Sequence, residues 1–121
     1  MLCSFVNDEV EAVKSINPNL PVTTNYMRFF EVDYKKLSDS IDVISWDNYP
    51  TWHASKNEFE SAVETAMFHS IFNSIKKDKP FMMMESSPSA TNWQDVSKLR
   101  RPGMHLLSSM QAVAHGSDTV Q

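Results

Sequence analysis

The most constraining feature of the sequence is a six-residue run, Pro80 to Glu85 (PFMMME), in which unbroken apolar character ends on one carboxylate. Such a run, with no polar alternation, fits a strand covered on both faces, as in a parallel sheet. The carboxylate stands where the strand ends, and an ionised group there is costly unless it is paired, hydrogen-bonded or working. The C-terminal ends of strands are where α/β barrels keep their chemistry. Ser86 to Asn92, with Pro88, reads as a loop that then presents Trp93. A carboxylate and an indole eight positions apart suit a sugar site. The plainer alternative is a strand-end Glu that meets solvent or a salt bridge.

Around this strand, helical and extended signals alternate. Leu2, Phe5, Val6, Val10, Val13 and Ile16 recur at helical spacing, which predicts a helix to about Ile16, ended by Asn17-Pro18-Asn19. Pro21 to Asn25 reads as a strand, Asp33 to Ile41 as a short helical piece, and Asp42 to Asp47 as a strand broken at Tyr49-Pro50. Ser55 and Glu58 have capping-box spacing. Behind them Phe59, Val63, Ala66, Met67, Ser70, Ile71 and Ile75 form the stripe expected to face the core of a helix reaching about Lys77. Pro102-Gly103 opens a further helix, with Leu106, Leu107, Met110, Val113 and Ala114 expected inward and Gly116 as its stop. Asp118 to Gln121 starts a last strand. Trp46 is expected to pack under the helices, and Met83 to share the inward face of Glu85 while Met82 and Met84 meet the helices. Four strands separated by helices predict a parallel α/β sheet, in a single domain over residues 1–121.

Composition removes several classes of function. A net charge of -4 and a pI near 5.5 argue against nucleic-acid or anionic-membrane partners, which need a basic face. No apolar stretch approaches a membrane span, one cysteine allows no internal disulfide, and a soluble, cytoplasmic location is expected. His53, His69, His105 and His115 lack paired metal-ligand spacing, so no metal is expected. Two glycines, Gly103 and Gly116, cannot build a dinucleotide fingerprint or a P-loop, and Ser86, Ser87 and Ser89 lack a nucleophile-elbow context. A site made of side chains, without a cofactor, remains.

Four segments in order, PVTTNYM, DVISWDNYP, PFMMMESSPSATNW and RPGMHLLSSMQAVAHGSDTVQ, resemble the glycoside hydrolase family 42 β-galactosidases over nearly the whole chain. The resemblance implies a TIM (β/α)8 barrel, of which these segments match the last four β/α units. It implies retaining hydrolysis of terminal non-reducing β-D-galactosyl residues, with Glu85 as nucleophile, Trp93 lining the galactose pocket and Tyr49 near the nucleophile. It also implies a β-galactoside as partner, and trimers as the family's assembly. Tyr49 fits chemically, because a hydroxyl donor keeps a nucleophilic carboxylate ionised, and a Trp face suits the C–H side of a sugar.

The pattern is incomplete. A full barrel takes about 250 residues, and retaining hydrolysis takes two carboxyl groups about 5 to 5.5 Å apart. The family's acid/base is a Glu directly after an Asn, on a strand expected to precede Met1. Asn57-Glu58 is the one Asn-Glu pair here, and Glu58 is better explained as the end of the Ser55 capping box. Asp47 and Asn48 are strand-end candidates for sugar hydroxyls, although Asp47 equally suits a loop anchor. Trp52 suits an outer-subsite platform or plain packing. Two readings stay open: a fragment of a β-galactosidase with its acid/base elsewhere, and an inactive half-barrel that self-associates through its open sheet edges.

Overall fold

A computed structural model describes residues 1–28, 32–50, 57–88, 91 and 99–121. The described elements are α1 (Leu2–Ile16), β1 (Asn25–Tyr26), α2 (Tyr34–Leu37), β2 (Ser45–Asn48), α3 (Glu58–Ile75), β3 (Phe81–Ser86), α4 (Met104–Ala114) and β4 (Ser117–Val120). The strands form one parallel sheet in the order β1-β2-β3-β4, and each connection between neighbours contains a helix. The expected alternation is therefore present, with α1 bounded as its periodicity predicts.

The first two strands begin later than their composition suggests. Pro21 has no N–H to give, and the Val22 carbonyl accepts from both Asp42 N (2.8 Å) and Val43 N (3.3 Å). Val22 N donates to the Asp42 carboxylate at 2.9 Å, and the Thr23 hydroxyl donates to the Val43 carbonyl at 2.7 Å. Side chains thus occupy ladder positions over this stretch. Regular pairing starts only at Asn25 opposite Ser45, so β1 is shorter than Pro21 to Asn25 and β2 covers Ser45–Asn48. The Lys14 ammonium, 2.7 Å from the Asp42 carboxylate, ties α1 to the same corner.

The core lies between the sheet and its helices. Trp46 is fully buried, stacks on Phe72 at 5.0 Å between ring centroids and meets Phe68 at 6.1 Å, as its outward alternation predicts. Tyr26, Leu37, Ile41, Ile44, Phe81, Met83 and Ala112 belong to the same cluster. The faces that α3 and α4 turn to this cluster differ from those expected. α3 buries Ser61, Thr65, Phe68, His69 and Phe72, whereas Phe59, Val63, Met67 and Ile71 are exposed. α4 buries Met104, Ser108 and Ala112, whereas Leu106, Leu107, Met110, Val113 and Ala114 are exposed. The sheet surface is already filled by wide aromatic rings, and close packing then favours small residues at the points of nearest approach. Ser61, Thr65, Ser108 and Ala112 supply them.

The cap of α3 is also shifted. Asn57, not Ser55, is the N-cap: its Oδ1 accepts from Glu60 N at 2.8 Å, while Glu60 reaches back to Asn57 N at 3.4 Å. Ser55 itself lies outside the described residues. Glu58 is left free of any capping duty, and instead accepts from Arg101 Nε at 2.8 Å on the surface between α3 and α4. Gly116 ends the α4 turn as expected; its φ of 99° is a left-handed conformation, and a Cβ there would stand 2.9 Å from Asn73 Oδ1.

Candidate active site

Alternation along the strands sorts the sheet into two faces. Tyr26 and Trp46 go to the helices, so Asn25 and Asp47, their neighbours, emerge on the other face, from the two-residue β1 and from near the C-terminal end of β2. β3 needs one further device to bring Glu85 to the same face. Met83 is buried among the core side chains, and strict alternation would send residue 85 after it, into the helix layer. The register between β2 and β3 instead shifts, pairing Trp46 with Met83 and then Asp47 with Glu85. Met84 is the extra residue of a β-bulge, a feature that re-aims side chains at strand ends. Met83 therefore does not share the face of Glu85, contrary to the expectation from simple alternation.

The three strand-end groups meet. Asn25 Nδ2 lies 3.0 Å from Asp47 Oδ2, 3.1 Å from Asp47 Oδ1 and 3.2 Å from Glu85 Oε1. Asp47 is almost fully buried, and burial pushes its carboxyl above the ordinary range; the Asn25 hydrogen bond opposes that shift and the Glu85 charge adds to it. Glu85 is half-buried, with the Ser86 N–H donating to the Gln121 carbonyl at 3.0 Å directly behind it. One amide thus bridges two acids on neighbouring strands.

Asn48 is placed differently from Asp47. It is buried, and its Oδ1 accepts from Arg28 Nη2 at 2.6 Å. That guanidinium lies 4.5 Å from the Phe68 ring centroid and 5.5 Å from that of Trp46, with Glu64 at 3.6 Å. Asn48 thus belongs to a polar plug beside the aromatic core and is not brought to the Asp47–Glu85 pair. Tyr49 follows β2 directly and is half-buried, whereas Trp52, His53 and Trp93 lie outside the described residues. Sequence reasoning passed over Asn25 and Arg28. Both had a signal: Asn25 is the polar residue that closes the PVTTN segment, as Glu85 closes its own strand, and Arg28 is a lone cation between Met27 and two phenylalanines.

The arrangement resembles known proteins throughout. A family model described as β-galactosidase, that of glycoside hydrolase family 42, matches residues 1–121. This chain belongs to glycoside hydrolase family 42. Among curated family 42 relatives, it is 56% identical over 118 residues to the β-galactosidase BglY of Alicyclobacillus acidocaldarius, covering 97% of this chain and 17% of that protein. It is 53% identical over 121 residues to the β-galactosidase Pbg of Clostridium perfringens, covering 97% of this chain and 18% of that protein. The crystal structure of a β-galactosidase from Rahnella sp. R3 superposes with a TM-score of 0.93 at 51% identity, over 99% of this chain and 18% of that one. That of Bacillus circulans sp. alkalophilus gives 0.85 at 43% identity, over 98% and 17%. The chain thus spans less than a fifth of the length of these relatives. Its four parallel strands and the helices that connect them form part of a TIM barrel, as in the other family 42 structures. Among the described residues, no helix is long and apolar enough to cross a membrane.

Proposed function

We propose that this chain carries the nucleophile of a retaining β-galactosidase, and that Glu85 is that nucleophile. The observation that carries the reading is the Met84 bulge, which turns the strand-end carboxylate of Glu85 away from the core and sets it beside Asn25 and Asp47. A nucleophilic carboxylate has to be ionised and aimed. The hydrogen bond from Asn25 aims it.

In the first step a Glu85 oxygen attacks the anomeric carbon of a terminal β-galactosyl unit. The bond from that carbon to the glycosidic oxygen breaks, and the leaving oxygen takes a proton from the acid/base carboxyl. In the second step the acid/base, now a carboxylate, takes a proton from water as the water oxygen displaces Glu85. Two inversions release β-galactose. Asp47 does not suit the acid/base role, because the Asn25 amide fills the space between it and Glu85, where the glycosidic bond has to lie. The acid/base is a Glu outside this sequence, following an Asn on an earlier strand of the barrel. Trp93 supplies the flat face under the galactose ring, Tyr49 a hydroxyl near Glu85, and Asp47 an acceptor at the floor of the pocket. Asn48, held by Arg28, is not assigned a substrate contact.

The test is the anomeric configuration of the galactose first released from a β-galactoside by the full-length polypeptide carrying this sequence. Proton NMR during the first minutes is expected to show β-galactose, followed by slow mutarotation. First appearance of α-galactose would show one displacement instead of two and would remove Glu85 from the nucleophile role.

A further inference from the structure

We propose that Asn25 is a positioning residue of this site, whose amide clamps Asp47 and Glu85 together and aims the Glu85 oxygen at the anomeric carbon. The inference rests on the reading of Glu85 as nucleophile and adds to it a residue that does not itself react.

The geometry determines which end of the amide faces the acids. Ionised carboxylates only accept, so both neighbours call for the NH2 end of Asn25 and neither for its oxygen. That group has two hydrogens. One is shared by the Asp47 oxygens, at 3.0 and 3.1 Å, and the other goes to Glu85 Oε1 at 3.2 Å. Asp47, almost fully buried on β2, is thereby the anchor, and Asn25 transmits its fixed position to Glu85. An anchor is needed because the Met84 bulge interrupts the regular pairing just before Glu85. Gln121 N donates to the Met83 carbonyl and Ser86 N to the Gln121 carbonyl, both at 3.0 Å, so the backbone is pinned on either side of the bulge while the carboxylate is pinned by Asn25.

The clamp also keeps two negative charges compatible. The Asn25 amide favours the ionised form of Asp47, against its burial and the charge of Glu85. Burial and the Glu85 charge raise the Asp47 carboxyl, so this pair is the place where a lost donor is felt. Among the described residues, the other charged or titratable groups on or just after the neighbouring strands are Tyr26 on β1, turned into the core, Arg28, turned to Asn48 and Glu64, Tyr49 after β2, and the exposed Asp118 on β4.

The experiment compares Asn25→Ala and Asn25→Asp with the parent in the full-length polypeptide, measuring kcat, KM and the acid limb of kcat/KM on a chromogenic β-galactoside. Asn25→Ala is expected to lower kcat by roughly ten- to a hundredfold, the scale of a misaimed reacting group, with KM little changed. Its acid limb moves to higher pH, because the Asn25 hydrogen bond that lowers the Asp47 carboxyl is gone. Asn25→Asp, of the same size, moves that limb further, since a third carboxylate replaces the donor. If Asn25→Ala does not fold, the isosteric Asn25→Asp decides alone. A merely structural Asn25 would lower the amount of folded enzyme and leave the acid limb in place, which overturns the proposal. Labelling by a 2-deoxy-2-fluoro-galactosyl fluoride separates the two readings. A label on another residue removes the Glu85 assignment and this inference with it, whereas a label on Glu85 with an unmoved limb removes Asn25 alone.

Discussion

Replacing Glu85 by Gly in the full-length polypeptide is expected to lower β-galactoside hydrolysis by roughly a thousandfold or more, about 4 kcal/mol of transition-state stabilisation. The substitution removes the attacking oxygen and leaves a gap at the strand end beside Asn25 and Asp47. Azide fits such a gap. On an activated β-galactoside it attacks the anomeric carbon in place of Glu85, the aglycone departs, and the product is α-galactosyl azide, because no second displacement follows. Recovery of rate with azide and formation of that product identify the lost group as the nucleophile. Activity retained in the Gly variant, or recovery that yields β-galactose, would contradict the assignment.

The second large effect concerns stability and lies in the core. His69 on α3 is fully buried, packed edge-on to Trp46 (5.1 Å between centroids) and stacked on Phe81 (5.5 Å). Neither ring nitrogen has a hydrogen-bond partner among the described residues. Burial, reinforced by His115 and Arg28, pulls its pKa from 6.5 down to about 4. Between those two values the unfolded chain binds the proton and the folded chain does not, so stability rises with pH there. The His69 contribution is therefore intact above about pH 6.5, falls as the pH drops through that window, and is fully lost below about 4. The loss amounts to about 3 kcal/mol at most, comparable to a large core mutation. In His69→Leu the acid-unfolding midpoint, followed by tryptophan fluorescence, is expected at lower pH than in the parent. At neutral pH the variant should be no less stable, because two unsatisfied buried nitrogens are removed. Coincident acid transitions in the two proteins would show that His69 does not control them.

The parts of this molecule legible in its sequence are those governed by one unambiguous period. α1 carries a single apolar repeat and its bounds follow from it. β3 is a short apolar block with one acid, and its strand-end carboxylate is where the block stops. Degenerate signals account for the differences. Ser55–Glu58 and Asn57–Glu60 are both correctly spaced capping boxes, and only the helix start tells them apart. α3 and α4 are apolar on more than one side, so the longest stripe suggests the core face, whereas smaller residues make the close approach to the aromatic sheet surface. The bulge is hidden for another reason. Three consecutive methionines are interchangeable in any alternation, and nothing local shows that Met84 is the unpaired one. Asn25 was hidden because its role depends on Asp47 and Glu85, which lie 22 and 60 residues further along the chain.

The central claim is that Glu85 forms a bond to the sugar. The most direct measurement is to incubate the full-length polypeptide with a 2-deoxy-2-fluoro-β-galactosyl fluoride, in which the electron-withdrawing fluorine slows the second displacement, and to map the label by peptide mass spectrometry. The expected result is a single fluorogalactosyl ester on Glu85, within the peptide that contains Phe81 to Ser86. A label on Asp47 or on any other carboxylate, or enzyme that turns over normally with none, would contradict it.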